Sequence, residues 1–468
     1  MNKTNQNSKE RNKKTKETNH IISRGETNIN RKKIILILIT ISIIILIISI
    51  IMIIKEKESI EEKSSVKPKE LTIEEINIAK YNTVIKLNNI NFPSFQSNNI
   101  YNEQHLNSYY NFTYNFFLNI NYTDFSPISL YSILINVYMA ISDKEQLEIL
   151  DNILGLNHDE RIIFYSQIFK NNYFKNSEGE IKINNGAFYN SDRVIENKKF
   201  IEQLNKTYTE CYKLSYKKDY KYIIDWINKS LKKQNLMNEK NLDKNENISI
   251  LFFSTLYYQQ KWKTKFVDSE TYKDIFHIDN NTNKEIYFMK HTYYVDDYYD
   301  YDNYISFYDY YSNNYLIQYL IPKLLNYNIL ELVNNTNFLF ENENNKKNDT
   351  AITLSVPRIK ITNEIDLKPI LKNIGLEKLF DENYSTLNNP FINKDDKNYF
   401  LDKIQQKNQI ELNEDGATIK SISFAMGKSY GFVFEGLEIK LDQPFIYIIR
   451  DKNKLPIFMG YIKDPNNN

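Results

Sequence analysis

The spacing of apolar and polar residues changes about halfway along the chain. Up to about Leu231, apolar residues recur every three or four positions, the period of a helix with one buried face. This predicts helices over Leu106–Ile120, Pro127–Ile141, Lys144–Leu154, Asp159–Phe169, Lys198–Tyr208 and Asp219–Leu231. From Ile248 the apolar residues cluster in short runs rich in β-branched and aromatic side chains: ISILFFSTLYYQQKW, EIYFM, NYLIQYLIP and TLSVPRIKI. Such residues fit a pleated, half-buried surface, and these runs read as strands. One helical piece follows, Leu367–Ile374, closed by Gly375 as a C-cap. The end reads as strands again: YFLDKIQQKNQIEL, FVFEGLEIKL, PFIYIIRD and PIFMGYIK. Helices first and mostly antiparallel strands later define an α+β class. No linker interrupts the pattern between about Tyr101 and Pro465, and no internal repeat is present.

One stretch carries an alternation of its own, Glu411 to Gly431. After Gly416, every second residue is small (Ala417, Ser421, Ser423, Ala425, Gly427), with Ile419 the exception. The interleaved residues are mostly large or charged: Thr418, Lys420, Ile422, Phe424, Met426 and Lys428. Side chains alternate faces along a strand, so one face of this segment could slide into a crowded interior. A strand pattern that begins at a glycine describes a loop able to add itself to a sheet, or an ordinary edge strand followed by a surface loop.

The N-terminal part reads differently. Residues 1–33 are polar and basic and are expected to be a disordered cytoplasmic tail. An uncharged run follows from Ile34 to Ile54, broken only by Thr40, Ser42 and Ser49. At 1.5 Å per residue it matches the ~30 Å hydrocarbon layer of a membrane. Arg31, Lys32 and Lys33 before it place the N-terminus in the cytoplasm and everything after Lys55 outside or in a lumen. The expectation is a transmembrane signal anchor over residues 34–54, with a cleaved signal as the alternative, a stalk over 55–99, and a folded domain over 100–468. Sequons at Asn111, Asn121, Asn205, Asn228, Asn247, Asn280, Asn334, Asn348 and Asn383 are compatible with a secreted glycoprotein.

Composition narrows the function classes. Sixty basic and 59 acidic residues leave a net charge of +1, which argues against nucleic-acid binding. The single cysteine, Cys211, excludes an intrachain disulfide and a cysteine-based zinc cluster. The histidines lack metal-ligand spacing, so no metal and no cofactor is expected. Gly427-Lys428-Ser429-Tyr430-Gly431 matches the G-x-S-x-G elbow of hydrolases. However, no histidine follows His291, whereas that elbow's histidine comes after its serine. The chain is therefore not read as an enzyme.

Several motifs resemble the serpin family. Pro444-Phe445, Arg450, Phe458-Met459-Gly460 and Pro465 look like the family's closing strands. Asn413-Glu414-Asp415-Gly416-Ala417-Thr418 resembles its hinge, and Phe125-Ser126-Pro127-Ile128-Ser129 its second-helix opening. Trp262, Phe266, Thr271, Phe276 and Met289 fall at the spacing of another of its stretches. Leu354-Ser355-Val356-Pro357-Arg358-Ile359-Lys360, followed by Leu367, Leu371 and Gly375, resembles a fifth. The pieces run in order from roughly Ile100 to Pro465.

The resemblance implies three β-sheets, eight to nine helices and an exposed reactive-centre loop. It implies a monomer that inhibits a target protease, of the serine or cysteine class, by loop cleavage and insertion into the main sheet. The hinge would be Glu414, Gly416, Ala417 and Thr418, and the inward face of the inserting strand Ile419, Ser421, Ser423 and Ala425. The family's usual count from the hinge glutamate puts the reactive bond at Tyr430–Gly431, with Lys428–Ser429 as the alternative. The sheet-opening region would contain Ser126, Ser129, Ser254 and Gln406. Here the sequence departs from the family, which often has an Asn–His–Asn cluster where Ile224, Ser254 and Gln406 align. Ile419 stands where inhibitory members prefer alanine. A non-inhibitory serpin serving as a membrane-attached binding scaffold is the alternative.

Overall fold

Helix Pro127–Ala140 is buried all round, with only Tyr138 partly exposed. It begins where its sequence says it should: Ser126 is the N-cap, its hydroxyl accepting from Ser129 N, and Pro127 occupies the first turn. A helix apolar on every face must lie inside the fold. This one packs between strand Ile250–Lys261 of one sheet and strand Pro456–Ile462 of another.

The chain was described from a computed structural model covering residues 80–232, 237, 248–325, 327–334, 337–347, 350–392, 398–401, 404–417 and 437–465. All of them fall in the unit Leu71–Asn468. The expected tail, the anchor at 34–54 and the first part of the expected stalk lie outside the described residues. Among the described residues, no helix is long and apolar enough to cross a membrane.

Three sheets form among the described residues. The main sheet runs in the order Ile85–Lys86, Thr209–Leu214, Gly179–Asn190, Ile250–Lys261, Gly416–Ala417, Gln405–Asn413, Ile359–Asp366, with Phe174–Lys175 paired to Gly179–Asn190. The second runs Lys346–Lys347, Tyr298–Asp300, Tyr304–Tyr310, Leu316–Pro322, Phe445–Arg450, Pro456–Ile462. The third runs Leu437–Lys440, Thr350–Pro357, Asn283–Val295, Tyr272–His277. Pairing is antiparallel except between Gly179–Asn190 and Thr209–Leu214, and between Thr350–Pro357 and Leu437–Lys440.

Helices cover the main sheet on both faces. Glu103–Asn119, Lys144–Leu154 and His158–Asn171 surround Pro127–Ala140 in the large core. On the opposite face, Tyr216–Asp219 and Lys221–Ser230 build a smaller apolar layer. There Trp226 meets Phe188 edge-on, and Phe188 stacks on Tyr212.

Two expectations about elements change. The run TLSVPRIKI is not one strand. It breaks after Pro357, which ends a strand of the third sheet, and Ile359 starts one of the main sheet. The helix expected to reach Tyr208 stops at Asn205. Thr207 there turns its hydroxyl back to Leu204 O (3.0 Å), and Tyr208 adopts φ 53°. Gly375 sits at φ 98°, the left-handed geometry that suits a helix C-cap.

Candidate functional site

The site is built where the Gln405–Asn413 strand ends. Asn413 Oδ1 accepts from Asp415 N at 3.1 Å, a side-chain turn that reverses the chain. Gly416 follows at φ 135°, and a Cβ there would fall 2.0 Å from Gln260 O. Only glycine fits, because both the dihedral and the space exclude a side chain. Gly416 and Ala417 then pair with Asn413 and Leu412 on one side and with Lys261 and Gln260 on the other. Among the described residues, this two-residue strand is the only ladder link between the two halves of the main sheet.

Three groups fix the turn. Glu414 is buried, and Arg358 grips its carboxylate from Nε (2.9 and 3.1 Å) and Nη2, while Thr271 Oγ1 donates at 2.7 Å. Burial pushes the Glu414 carboxyl up. The hydrogen bonds from Arg358 and Thr271 outweigh it and hold the group below the usual glutamate range. Arg358 also lies over the Tyr287 ring at 5.2 Å. Trp262, itself buried, donates from Nε1 to Asn413 O at 2.8 Å. Its ring stacks on Tyr311 (4.5 Å) and meets Phe266 edge-on. Phe266 in turn stacks on His291, whose Nε2 lies 3.0 Å from Asp309 Oδ2.

Deeper in the sheet, Ser126 and Gln406 form a reciprocal pair. Ser126 N donates to Gln406 Oε1 and Gln406 Nε2 donates to Ser126 O, both at 2.9 Å. Ser126 Oγ donates to Ile457 O at 3.1 Å and lies 3.2 Å from Ser129 Oγ. Ser126, Ser129 and Gln406 are therefore together. Ser254 does not join them: it pairs with Asn185 in the ladder, and its hydroxyl has no hydrogen-bond partner among the described residues. Ile224 lies in the apolar layer on the other face of the sheet.

Thr418, Ile419, Ser421, Ser423, Ala425, Lys428, Ser429, Tyr430 and Gly431 lie outside the described residues. Residues 418–436 connect Gly416–Ala417 in the main sheet to Leu437–Lys440 in the third. Among the described residues, no group of three or more His, Cys, Asp or Glu is placed to hold a metal ion. Cys211 is buried, and burial followed by the nearby Glu210 pushes its thiol up. Arg358 and Thr271 stood within the quoted motifs without a role. Their signal was position alone, since nothing local shows that both point at Glu414.

This geometry defines a class of protein: a main sheet whose two halves, among the described residues, meet only at the two-residue strand Gly416–Ala417. The family model for serpins (serine protease inhibitors) matches residues 107–465, and the chain belongs to that family. It is 32% identical to neuroserpin of Mus musculus over 130 residues, 27% of this chain and 30% of that protein. It is likewise 32% identical to a probable non-inhibitory serpin-Z9 of Oryza sativa subsp. japonica over 120 residues, 25% of this chain and 26% of that protein. The chain thus spans under a third of each of these two relatives. Among solved structures, the thermophilic serpin tengpin in its native state superposes with a TM-score of 0.69 at 20% identity. That match covers 82% of this chain and all of that one.

Proposed function

We propose that the protein inhibits a serine protease as a suicide substrate. The observation that carries this reading is the Gly416–Ala417 strand seated between Gln260–Lys261 and Leu412–Asn413. An inserting loop needs a start point inside the sheet, and this is one. The protease serine attacks the Tyr430 carbonyl, the peptide bond breaks, the Gly431 amine leaves with a proton, and an ester joins enzyme to inhibitor. The freed segment then continues from Ala417 into the sheet, with Ile419, Ser421, Ser423 and Ala425 facing inward. An aromatic residue at the cut suits a chymotrypsin-like pocket, whereas cutting at Lys428–Ser429 would suit a trypsin-like one.

A non-inhibitory scaffold is the second reading, favoured by one specific set of residues. Among the described residues, Ser254 has no side-chain hydrogen-bond partner where the family often has a polar cluster, and Ile419 adds bulk to the inward face. The test is incubation with a chymotrypsin-like and then a trypsin-like protease, followed by a denaturing gel. A band at the summed mass supports inhibition, and sequencing the released peptide assigns Tyr430 or Lys428. Cleavage without that band, and without a gain in thermal stability, supports the scaffold. The run Ile34–Ile54 would tether either activity to a membrane with the serpin domain on the extracellular or lumenal side. Carbonate extraction of membranes from cells expressing the full chain tests the tether.

A further inference from the structure

His291 and Asp309 are buried one ring further in than the hinge stack of Trp262 and Phe266. Three parts of the chain meet there. The imidazole belongs to strand Asn283–Val295 of the third sheet, where Leu354 is its ladder partner. Asp309 comes from strand Tyr304–Tyr310 of the second sheet. Thr264 and Phe266 come from the segment that follows strand Ile250–Lys261 of the main sheet.

Both ring nitrogens face oxygens that accept. Nδ1 lies 3.1 Å from Thr264 O, and Nε2 lies 3.0 Å from Asp309 Oδ2. A backbone carbonyl has no proton to give, so Nδ1 carries one. Nε2 and Oδ2 have no other hydrogen-bond partner among the described residues, and two lone pairs at that distance repel unless a proton lies between them. The pair therefore holds one proton more than a neutral imidazole beside a carboxylate. Among the described residues, no lysine or arginine forms an ion pair with Asp309 to take its place. The titratable groups nearby are tyrosines: Tyr293, its ring 4.7 Å from the imidazole, and Tyr310, Tyr311 and Tyr319, which feel the charge of Asp309. Lys263 turns its ammonium over the Tyr310 ring at 5.3 Å, and Lys290 pairs with Glu438 at 3.8 Å. The neighbouring strand Thr350–Pro357 carries no charge.

The imidazole is the floor for Phe266, whose ring stacks on it at 3.8 Å. Phe266 meets Trp262 edge-on at 5.2 Å, and Trp262 Nε1 reaches Asn413 O across the junction between the two halves of the main sheet. We propose that His291 and Asp309 form a proton-held latch on sheet opening. With the shared proton in place, the rings are braced and the Trp262–Asn413 contact is held. When the proton leaves, Nε2 and Oδ2 repel, the imidazole turns away, and Phe266 and Trp262 lose their support. The closed sheet binds the proton more tightly than the open one, so acid favours the closed state and a rise in pH the open one. Histidine is the side chain suited to such a change between about pH 5 and 8. The effect on inhibition rests on the loop-insertion reading above: insertion is slow in acidic surroundings and fast in neutral ones.

The test uses the full chain, purified in detergent, over a range of about pH 5.5 to 8.5. Two rates are read. One is amide exchange across residues 412–417, corrected for the intrinsic effect of pH, which reports opening of the contact without needing insertion. The other is the rate of acquiring heat resistance after the loop is nicked with a chymotrypsin-like protease. In the parent both are expected to rise roughly tenfold between about pH 6 and pH 8, within the tenfold per pH unit that a single proton allows. Asp309→Asn and His291→Gln each remove the shared proton and are expected to flatten both profiles. Asp124 and Glu414 titrate alike in all three proteins, so the difference between profiles reads the pair. A flat exchange profile in the parent overturns the latch with no variant needed, and so does a folded variant whose profile matches the parent's. Exchange that rises with pH in the parent alone, while no protein gains heat resistance, overturns insertion and leaves the latch standing.

Discussion

Glu414 and Arg358 are separated by 56 residues and meet as a two-point ion pair, guanidinium Nε lying 2.9 Å from one carboxylate oxygen and 3.1 Å from the other. The pair closes the turn at which Gly416–Ala417 join the main sheet, so its loss falls on that turn. Arg358→Ala leaves a buried carboxylate with only Thr271. Arg358 keeps 44% of its side-chain surface exposed, so the expected loss is about 1–2 kcal/mol rather than the value for a fully buried pair. Denaturant unfolding measures it. Trp262→Phe, which removes the hydrogen bond to Asn413 O, is expected to cost about 1 kcal/mol in the same assay.

The same carboxylate sets an acid limit. Its folded pKa lies below the unfolded value, so its contribution is full above the unfolded pKa and is lost as pH falls through the folded one. The melting temperature is expected to drop as pH falls below about 4.3, the reference glutamate value. In Glu414→Gln this part of the drop disappears. A slope that persists unchanged in that variant assigns the effect elsewhere.

Asp124 has the opposite sign. It is buried beside Tyr447, whose hydroxyl donates at 2.6 Å, and Gly460 leaves room for it. Burial pushes its carboxyl up to about 7, against the lowering effect of the Tyr447 hydrogen bond. The folded state holds this proton where the unfolded state has lost it. Stability is therefore expected to decline as pH rises from about 4 towards 7. Asp124→Asn should flatten that decline, raising the melting temperature at pH 7 relative to the parent more than at pH 4.5.

Gly416 has no room for a side chain in its present backbone position. Gly416→Ala puts a methyl group against Gln260 O and forces a non-glycine residue to φ 135°. The strain expected is about 1–3 kcal/mol. The variant should fold with its loop entry displaced. On the loop-insertion reading, its protease reaction should shift from a stable covalent complex to simple cleavage, read as the ratio of the two products on a gel.

Some of this was legible in the residues and some was not. A helix was legible over Pro127–Ile141, where the structure has Pro127–Ala140, and so was the stop at Gly375, which sits at φ 98°. Strand Gly179–Asn190 lies at the centre of the main sheet, yet GEIKINNGAFYN carries neither the apolar runs nor the composition of a strand. It is held by pairing with neighbours on both sides, which no single segment displays. Pro357 looked like an interior residue of one strand because the two strands it separates share a composition. The motif around Ser126 was visible, but its partner Gln406 is 280 residues away and was placed only by alignment. Ser254, assigned to the same cluster, lies in the middle of a strand opposite Asn185, and its hydroxyl finds no hydrogen-bond partner among the described residues.

The chain contains two tryptophans, Trp226 and Trp262. Trp226 sits beneath the helix covering the sheet flank, with its Nε1 on Glu210 at 3.2 Å, and Trp262 sits at the hinge with its Nε1 on Asn413 O. Trp226 therefore reports on the flank of the sheet, and Trp262, next after strand Ile250–Lys261, on the contact across the line to Asn413. Intrinsic emission, with Trp226→Phe to isolate one colour of signal from the other, makes the molecule its own two-channel optical gauge without any attached dye.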